Sequence, residues 1–291
     1  MSDSNVAFLC LGTMGYPMAG HLARAGCDVT VYNRNEKRAR AWVSEFGGRS
    51  AASPIEAVSE ASVALLCSGN DDDVRAVVQG ERGALSGLAE GSVLVDHTTG
   101  SAQLARQLAA EARRRGVGFL DAPVSGGQSG AENGALTIMV GGEESTYRRV
   151  APLLSHYAKK KLWMGEAGSG QLSKMVNQIC IAGVLQGLSE GLHFAKKSGL
   201  DAQRVVEVIS QGAAQSWQMD NRAATMLERK FDFGFAVDWM CKDLGIALEE
   251  GGRNGAKLEV TAAVRQFYAE LQSNGGGRLD TSSLIERLES D

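Results

Sequence analysis

The sequence predicts an α/β fold: an N-terminal doubly wound parallel sheet, a long connecting helix and an all-helical C-terminal domain. Short apolar and β-branched runs alternate with helical patterns in the first half of the chain. Helical periodicity then continues almost without a break. The change occurs in G-S-G-Q-L-S-K-M-V-N-Q at 168–178, where two glycines predict a flexible connection. We place the domains at 1–164 and 165–291.

Composition bounds the class of protein. A chain of 291 residues can hold two domains and a sizeable core. The net charge of −4 lacks the basic footprint of a nucleic-acid partner. No stretch is apolar enough to cross a bilayer, and Met1 to Asn5 leave no room for a leader before the first strand. We expect neither nucleic acid nor membrane as a partner.

Cysteine and histidine usage predicts neither disulfides nor metal. The five cysteines form no close-spaced pair, and the four histidines show no metal-ligand spacing. We interpret the cysteines as free thiols in a reducing compartment, which predicts a cytoplasmic protein.

A β-α-β unit opens the chain. Val6 to Leu11 predict a buried strand, and a glycine turn leads into a helix from Tyr16 to Arg24, with Pro17 in its first turn. Gly26 stops that helix, and a second strand runs from Asp28 to Asn33. Such a unit of about thirty residues is typical of nucleotide-binding folds.

The turn after the first strand resembles the dinucleotide fingerprint G-x-G-x-x-G. Its backbone N–H groups and the following helix dipole can bind a pyrophosphate. Gly12 and Gly15 occupy the second and third glycine positions, and Cys10 occupies the first. We expect the turn to survive and Cys10 to weaken binding modestly. A turn kept only for packing is the alternative. The predicted cofactor-binding residues here are Leu11, Gly12, Thr13, Met14 and Gly15.

The end of the second strand favours NADP(H) over NAD(H). An acidic residue there would bind the ribose 2′-hydroxyl and repel a 2′-phosphate. This chain has Asn33 and Arg34 instead, followed by Lys37 and Arg38. We predict that Asn33, Arg34 and Lys37 bind the cofactor, with a solvated basic turn as the alternative.

The alternation of helix and strand continues, with three further helices and two further strands. Helices are predicted from Pro54, from Asp72 and over Ser101 to Arg115, and strands over Ser62 to Cys67 and Ser92 to Asp96. Ligands bind at the carboxyl edge of such sheets. We therefore predict cofactor contacts at Cys67, Ser68 and Thr99, although both segments could be plain helix caps.

A further strand ends in a turn suited to an acid group. Phe119 to Gly127 read F-L-D-A-P-V-S-G-G, a strand ending at Pro123 and a Ser-Gly-Gly turn. Adjacent N–H groups and a hydroxyl in such a turn can bind a carboxylate. Ser125, Gly126 and Gly127 are thus predicted to bind substrate, with an ordinary turn as the alternative.

The long helix carries a polar face near its start. Lys174 and Asn177, three residues apart, share that face. A cation near a helix N-terminus is unfavourable for stability, so another reason for Lys174 is expected. A solvated surface lysine is the alternative, and the other motifs of the chain favour the functional role. The C-terminal helices are predicted to break near Gly199, near Gly212, and at 231–234, 251–255 and 275–277.

Together these motifs resemble the β-hydroxyacid dehydrogenases over nearly the whole chain. The resemblance rests on the glycine turn, D-A-P-V-S-G-G at 121–127, G-A-x-x-G at 130–134, G-x-G-x-x-x-K-x-x-N ending at Asn177, and Lys242-Asp243-Leu244. It implies an N-terminal Rossmann domain, a connecting helix, a helical C-terminal domain, and assembly as homodimers or homotetramers. The departures are Cys10, Gln178 in place of a second asparagine, and a Thr99 that is not followed by the downstream proline usual in the family.

The resemblance also implies residue roles. Lys174 corresponds to the catalytic lysine and Asn177 to its neighbour in the site. Ser125 to Gly127 correspond to the carboxylate turn, with Gln178 beside the substrate. Thr99 corresponds to a residue next to the nicotinamide, and Lys242 to a second lysine near cofactor and substrate.

We expect reversible hydride transfer between NADP(H) and a small β-hydroxyacid or its semialdehyde or oxoacid partner. Two alternatives stay open at this point: a nicotinamide-binding regulatory or scaffold protein on the same fold, and an imine reductase.

Overall fold

The computed structural model describes residues 5–289, so the expectation about a leader at 1–4 lies outside the described residues. Contacts divide the chain into two compact units, one ending at Lys174 and the other starting at Met175. The predicted boundary at 164/165 stays a prediction. Among residues 5–289, none of the helices combines the length and apolar character that crossing a membrane requires.

The first unit is built on one nine-stranded sheet with helices. Its strands are β1 Asn5–Leu9, β2 Asp28–Tyr32, β3 Arg49–Ser50, β4 Val63–Leu66, β5 Val93–Asp96, β6 Gly118–Asp121, β7 Val124–Ser125, β8 Leu136–Gly142 and β9 Ala158–Gly165. Its helices are α1 Gly15–Arg24, α2 Glu36–Phe46, α3 Pro54–Val58, α4 Asp71–Val78, α5 Ala84–Gly87, α6 Ala102–Arg114, α7 Gly127–Glu132 and α8 Glu144–Leu154. The doubly wound α/β prediction is confirmed.

The sheet is parallel from one edge to β6 and mixed beyond it. The order is β3-β2-β1-β4-β5-β6-β8, and β7 and β9 both pair with β8. β6 and β7 run antiparallel to β8, with Leu120 opposite Gly142 and Val124 opposite Ile138. β6 ends at Asp121, two residues before the predicted end at Pro123, and the short strand β7, which was not predicted, begins at Val124.

Both faces of the sheet are covered. Along β1, Val6 and Phe8 belong to one apolar cluster, while Ala7 and Leu9 belong to the other. Successive side chains of a strand point to opposite faces, so a continuous apolar run is what a strand buried on both faces requires. This arrangement leaves the carboxyl ends of the strands as the edge available to ligands.

The second unit is helical. The connecting helix α9, Ser169–Lys197, begins in the first unit and continues into the second. The others are α10 Ala202–Ile209, α11 Trp217–Leu227, α12 Val237–Asn254, α13 Glu259–Ser273 and α14 Glu286–Glu289, with 3₁₀ turns at Gly276–Arg278 and Thr281–Ile285. The expected break at 251–255 is confirmed, because α12 runs through Gly251 and ends at Asn254, where Gly255 turns left-handed at φ +79°.

Candidate active site

The turn after β1 has the shape that a dinucleotide fingerprint requires. Cys10 adopts a left-handed φ of +72°, as a first glycine would, and its N–H donates to the Tyr32 carbonyl at 2.8 Å. A Cβ on Gly15 would lie 2.1 Å from the Cys10 carbonyl oxygen, so only glycine lets α1 approach the strand this closely. Gly12 and Thr13 are exposed, and a Cβ at Gly12 would meet open space.

These observations fit a bound dinucleotide. No side chain among the described residues caps the N-terminus of α1, whose N-cap is Met14. Uncapped N–H groups at a helix start, beside an exposed glycine, are what a pyrophosphate binds. Burial raises the pKa of the Cys10 thiol to about 12, so this thiol stays protonated beside the turn.

The end of β2 braces the turn. The Leu11 N–H donates to Asn33 Oδ1 at 2.9 Å. The guanidinium of Arg38 donates to the carbonyl oxygens of Leu11 and Gly12 and lies 5.0 Å from the Tyr16 ring. Arg38 is thus occupied in holding the turn, which the run of basic residues alone did not indicate.

The remaining basic residues of this segment face solvent. The Arg34 side chain is 92% exposed, with its Nη1 3.9 Å from Asp73 Oδ1, and Lys37 is exposed on the first turn of α2. An exposed pair 3.9 Å apart contributes little to stability. Arg34 and Lys37 therefore remain available to an anionic group.

The ends of β4 and β5 are tied together. The Ser68 N–H donates to Thr98 Oγ1 at 2.9 Å, and the Thr98 N–H donates to Asp96 Oδ1 at 2.8 Å. Burial raises the pKa of Asp96 to about 7, against hydrogen bonds from Thr98 that lower it. Ser101 is the N-cap of α6 and accepts from the Leu104 N–H, so the cap predicted in this segment is present beside the loop of Thr99.

The loop from β6 to α7 displays the Ser-Gly-Gly turn. Ser125 ends β7 and is half-buried, while Gly126 and Gly127 are exposed with φ of +128° and +61°. Both glycines adopt backbone angles that other residues rarely reach. The buried His97 holds the backbone just before this turn. Its Nδ1 lies 2.7 Å from the Ala122 carbonyl oxygen, and its Nε2 lies 2.9 Å from the Tyr157 hydroxyl. Because a carbonyl only accepts, Nδ1 carries the proton and Nε2 accepts from Tyr157.

A buried carboxylate holds the start of α9. Asp121 Oδ1 accepts from the Gly168 N–H at 2.8 Å, and Oδ2 accepts from the Gln171 N–H at 2.9 Å. Burial raises the pKa of Asp121 to about 6, while these hydrogen bonds lower it. Carboxylates at a helix N-terminus are favourable, which offsets a lysine one turn further on. No local sequence pattern indicates this role of Asp121.

Gly168, just before α9, and Gly170, in its first turn, pack tightly, contrary to the expected flexible connection. A Cβ on Gly170 would lie 2.5 Å from the carbonyl oxygens of both Asp121 and Met139. Gly168 is buried with φ +95°. These glycines therefore bring the helix backbone directly onto the strands, and close approach explains them better than flexibility.

Gln171 joins α9 to the loop after β5, and Lys174 follows one turn later. Gln171 Nε2 donates to the Thr98 carbonyl at 2.7 Å, and its Oε1 accepts from the Gly100 N–H at 3.0 Å. The Lys174 residue is 7% exposed. Lys174 thus stands on a helix anchored at the carboxyl ends of β5 and β6.

In the second unit, the predicted polar residues form a connected group. Asn177 Nδ2 donates to Gln178 Oε1 at 2.8 Å, and Gln178 Nε2 donates to Asp243 Oδ2 at 2.6 Å. Lys242 Nζ lies 3.2 Å from Asp243 Oδ1 and 5.6 Å from the Trp239 ring centroid. Asp243, 2% exposed, joins the two segments and was not predicted as a site residue. Within residues 5–289, no three His, Cys, Asp or Glu side chains are grouped as a metal ion would require.

Fold and site define a nicotinamide-dependent oxidoreductase, and comparison with known proteins specifies its family. Residues 5–165 match the NAD-binding domain of 6-phosphogluconate dehydrogenase, and residues 168–288 match the NAD-binding domain of NADP-dependent 3-hydroxyisobutyrate dehydrogenase. The chain belongs to the β-hydroxyacid dehydrogenase family, as the motifs predicted.

Relatives cover the whole chain. An oxidoreductase of Shewanella frigidimarina is 57% identical over 98% of both chains. The 2-hydroxy-3-oxopropionate reductase of Escherichia coli is 33% identical over 98% of this chain and 97% of its own. The structure of Mycobacterium tuberculosis 3-hydroxyisobutyrate dehydrogenase with L-serine is 32% identical, covers 99% of both chains and superposes with a TM-score of 0.90.

The imine reductase alternative has weaker support. An imine reductase from Pseudomonas sp. shares the fold with a TM-score of 0.63 at 22% identity. The relatives above 30% identity are named as oxidoreductases, dehydrogenases or reductases, so they also give no support to a non-catalytic scaffold.

Proposed function

We propose that this protein interconverts a small β-hydroxyacid and its semialdehyde or oxoacid partner, with Lys174 as the proton donor and acceptor. The observation that carries the proposal is the placement of Lys174, nearly buried on a helix whose first turn is fixed at the carboxyl edge of the sheet. Bound nicotinamide supplies the hydride chemistry.

Lys174 Nζ would donate a proton to the substrate oxygen as a carbonyl is reduced, and accept it in the reverse direction. An ammonium in a site screened from water also stabilises negative charge on that oxygen more strongly than one in solution. Asn177, three residues further along α9, would orient the lysine or the substrate. Asn177 would in turn be held in place by Gln178, which is bonded to Asp243, the ion-pair partner of Lys242.

The substrate would be held by its carboxylate. Ser125, Gly126 and Gly127 present a hydroxyl and exposed backbone at a sharp turn, which supports binding of an acid group. Anchoring one end of a small substrate fixes its reacting carbon and so favours reaction. The Escherichia coli reductase and the Mycobacterium tuberculosis dehydrogenase are named for a hydroxy-oxoacid and a hydroxyacid, which favours the same substrate class here.

The cofactor would be NADP(H) in preference to NAD(H). Asn33 takes the place of the acidic residue that repels a 2′-phosphate, and it is neutral. Arg34 and Lys37 are exposed beside it and can pair with that phosphate. The remaining proposed cofactor contacts are Leu11 to Gly15, Cys67, Ser68, Thr99 and Lys242.

A homodimer or homotetramer would cover an apolar stripe of α9. Val176, Val184 and Phe194 are 60%, 40% and 70% exposed along this helix. Exposed apolar side chains in one stripe are typical of association surfaces. Light scattering that compares the molar mass of the wild type with that of Phe194→Glu tests this proposal. The variant should have a smaller molar mass, because a buried charge would dissociate the oligomer.

An initial-rate panel tests the function. Glyoxylate, succinic semialdehyde, tartronate semialdehyde, methylmalonate semialdehyde and 3-hydroxyisobutyrate are each measured with NADPH or NADP⁺ and with NADH or NAD⁺. We expect turnover of at least one acid with preference for the phosphorylated cofactor. No turnover of any of them would contradict the proposal.

A further inference from the structure

The proton donor and the residue placed beside the nicotinamide lie on different elements. Lys174 stands on α9 and Thr99 in the loop after β5. Hydride and proton must reach the same carbonyl group, one at carbon and one at oxygen, so the spacing of these elements matters for the reaction. One side chain joins them directly.

That side chain is Gln171. It precedes Lys174 by three residues, about one helical turn. The nitrogen of its side-chain amide donates to the Thr98 carbonyl, and the oxygen accepts from the Gly100 N–H. These two backbone groups lie on either side of Thr99. The residue is 2% exposed, so water does not replace either contact at low cost.

The backbone of Gln171 is fixed as well. Its N–H donates to Asp121, which is fully buried, and the preceding Gly170 lies so close to the strands that a Cβ there would be 2.5 Å from two backbone carbonyl oxygens. Thr98 is held in turn by Ser68 through its hydroxyl. Gln171 therefore joins two segments that are each held independently, and its side chain can transmit position between them.

We propose that Gln171, clamped by Asp121, is a positioning residue that sets the Lys174 turn relative to the Thr99 loop and thereby aligns proton and hydride delivery. This inference rests on the proposed function of Lys174. Gln171 needs no contact with substrate or cofactor for this role.

Gln171→Met tests this proposal, because methionine keeps the length and flexibility of the side chain but forms neither the hydrogen bond to Thr98 nor the one to Gly100. We expect kcat to fall about 10- to 100-fold, as small misplacements of catalytic groups do, with NADPH affinity unchanged. Gln186→Met is the matched control, since Gln186 is also a buried glutamine on α9 and its Nε2 bonds Glu190. Its kcat should match the wild type. An unchanged kcat in folded Gln171→Met would overturn the proposal.

A double-mutant cycle separates positioning from general support of the fold. In the Lys174→Met background, Gln171→Met should cause no further loss of the single-turnover rate, because the group it positions is gone. Equal fold-losses in both backgrounds would show a merely structural role. Asp121→Asn, whose amide cannot accept both N–H groups, should show the same dependence on Lys174 and covers the case in which Gln171→Met does not fold.

A chemical readout keeps this inference distinct from the proposed function. Trace acetic anhydride acetylates lysines according to their exposure and basicity, and mass spectrometry compares Lys174 with the exposed Lys197. The ratio of Lys174 acetylation to Lys197 acetylation should be higher in Gln171→Met than in the wild type and unchanged in Gln186→Met. This holds even if the wild type turns over no tested acid. An unchanged ratio would mean that Gln171 does not hold Lys174 in place.

Discussion

The backbone N–H of Leu11 donates to Asn33 Oδ1 at 2.9 Å, which ties the glycine turn to the end of β2. An aspartate at position 33 could accept the same hydrogen bond while adding a negative charge. Cofactor preference can therefore be tested here without dismantling the turn.

Asn33→Asp should weaken NADPH binding at least about tenfold, since like charges at close range cost several kcal/mol, and should leave NADH binding intact or improved. Arg34→Leu should weaken NADPH selectively as well. Arg40→Leu is the control, because Arg40 is an exposed arginine of α2 that pairs with Glu36. Dissociation constants by fluorescence titration decide the matter, and equal affinity of the wild type for both cofactors would refute the proposed preference.

Removing the hydroxyl of the Ser-Gly-Gly turn should affect substrate binding more than chemistry. Ser125→Ala should raise KM for the best acid about 10- to 150-fold, the loss of one hydrogen bond to a charged group, with a smaller change in kcat. Ser129→Ala, an exposed serine of α7, should change neither. If propanal were as good a substrate as succinic semialdehyde, the carboxylate role would be wrong.

Cys10 carries the strain of a left-handed residue with a side chain. Cys10→Gly should therefore be more stable than Cys10→Ala by about 1 kcal/mol, because both lose the thiol but only glycine relieves the strain. Cys10→Gly should also bind NADPH at least as tightly as the wild type. Urea unfolding and titration measure both, and equal stability of the glycine and alanine variants would contradict the argument.

His97 should give folding a defined pH dependence. Burial lowers the pKa of His97 to about 4, while the unfolded chain takes up this proton near pH 6.5. Between these values the unfolded state binds more protons, so the His97 contribution to stability falls as pH falls from 6.5 toward 4.

Buried Asp96 and Asp121, whose pKa values are raised, act in the opposite direction, so the difference between two proteins is the quantity to measure. The stability advantage of the wild type over His97→Asn should shrink on acidification, by at most about 1.4 kcal/mol per pH unit. His156→Asn, at an exposed histidine, should run parallel to the wild type. If the free energies of unfolding of all three proteins changed with pH in parallel, the lowered pKa of His97 would be contradicted.

Sequence periodicity predicted most elements of the fold because each strand of a sheet covered on both faces is a short apolar run. The antiparallel pairing of β6 and β7 with β8 escaped prediction, since nothing local in Pro123 distinguishes the end of a strand from an interruption. Gly168 and Gly170 were interpreted as flexible for a similar reason. Flexibility and close packing both select glycine, and only the neighbouring backbone tells them apart.

The site was predictable where the motif itself carries the chemistry, as at Gly15 and Lys174. The supporting residues were not. Asp121, Gln171 and Asp243 act through hydrogen bonds to partners 47 to 73 positions away in the chain, and no local pattern marks such pairs. Arg38 shows the converse, since a basic residue that suited a phosphate is engaged by the turn itself.

The central claim is that Lys174 moves the proton, and single-turnover reduction of the best acid by Lys174→Met tests it most directly. Lys197→Met, at the exposed end of the same helix, is the control. The account predicts a loss of at least about 100-fold in the rate for Lys174→Met, the usual worth of a general acid, with NADPH affinity retained and Lys197→Met unaffected. A wild-type rate in Lys174→Met would contradict it.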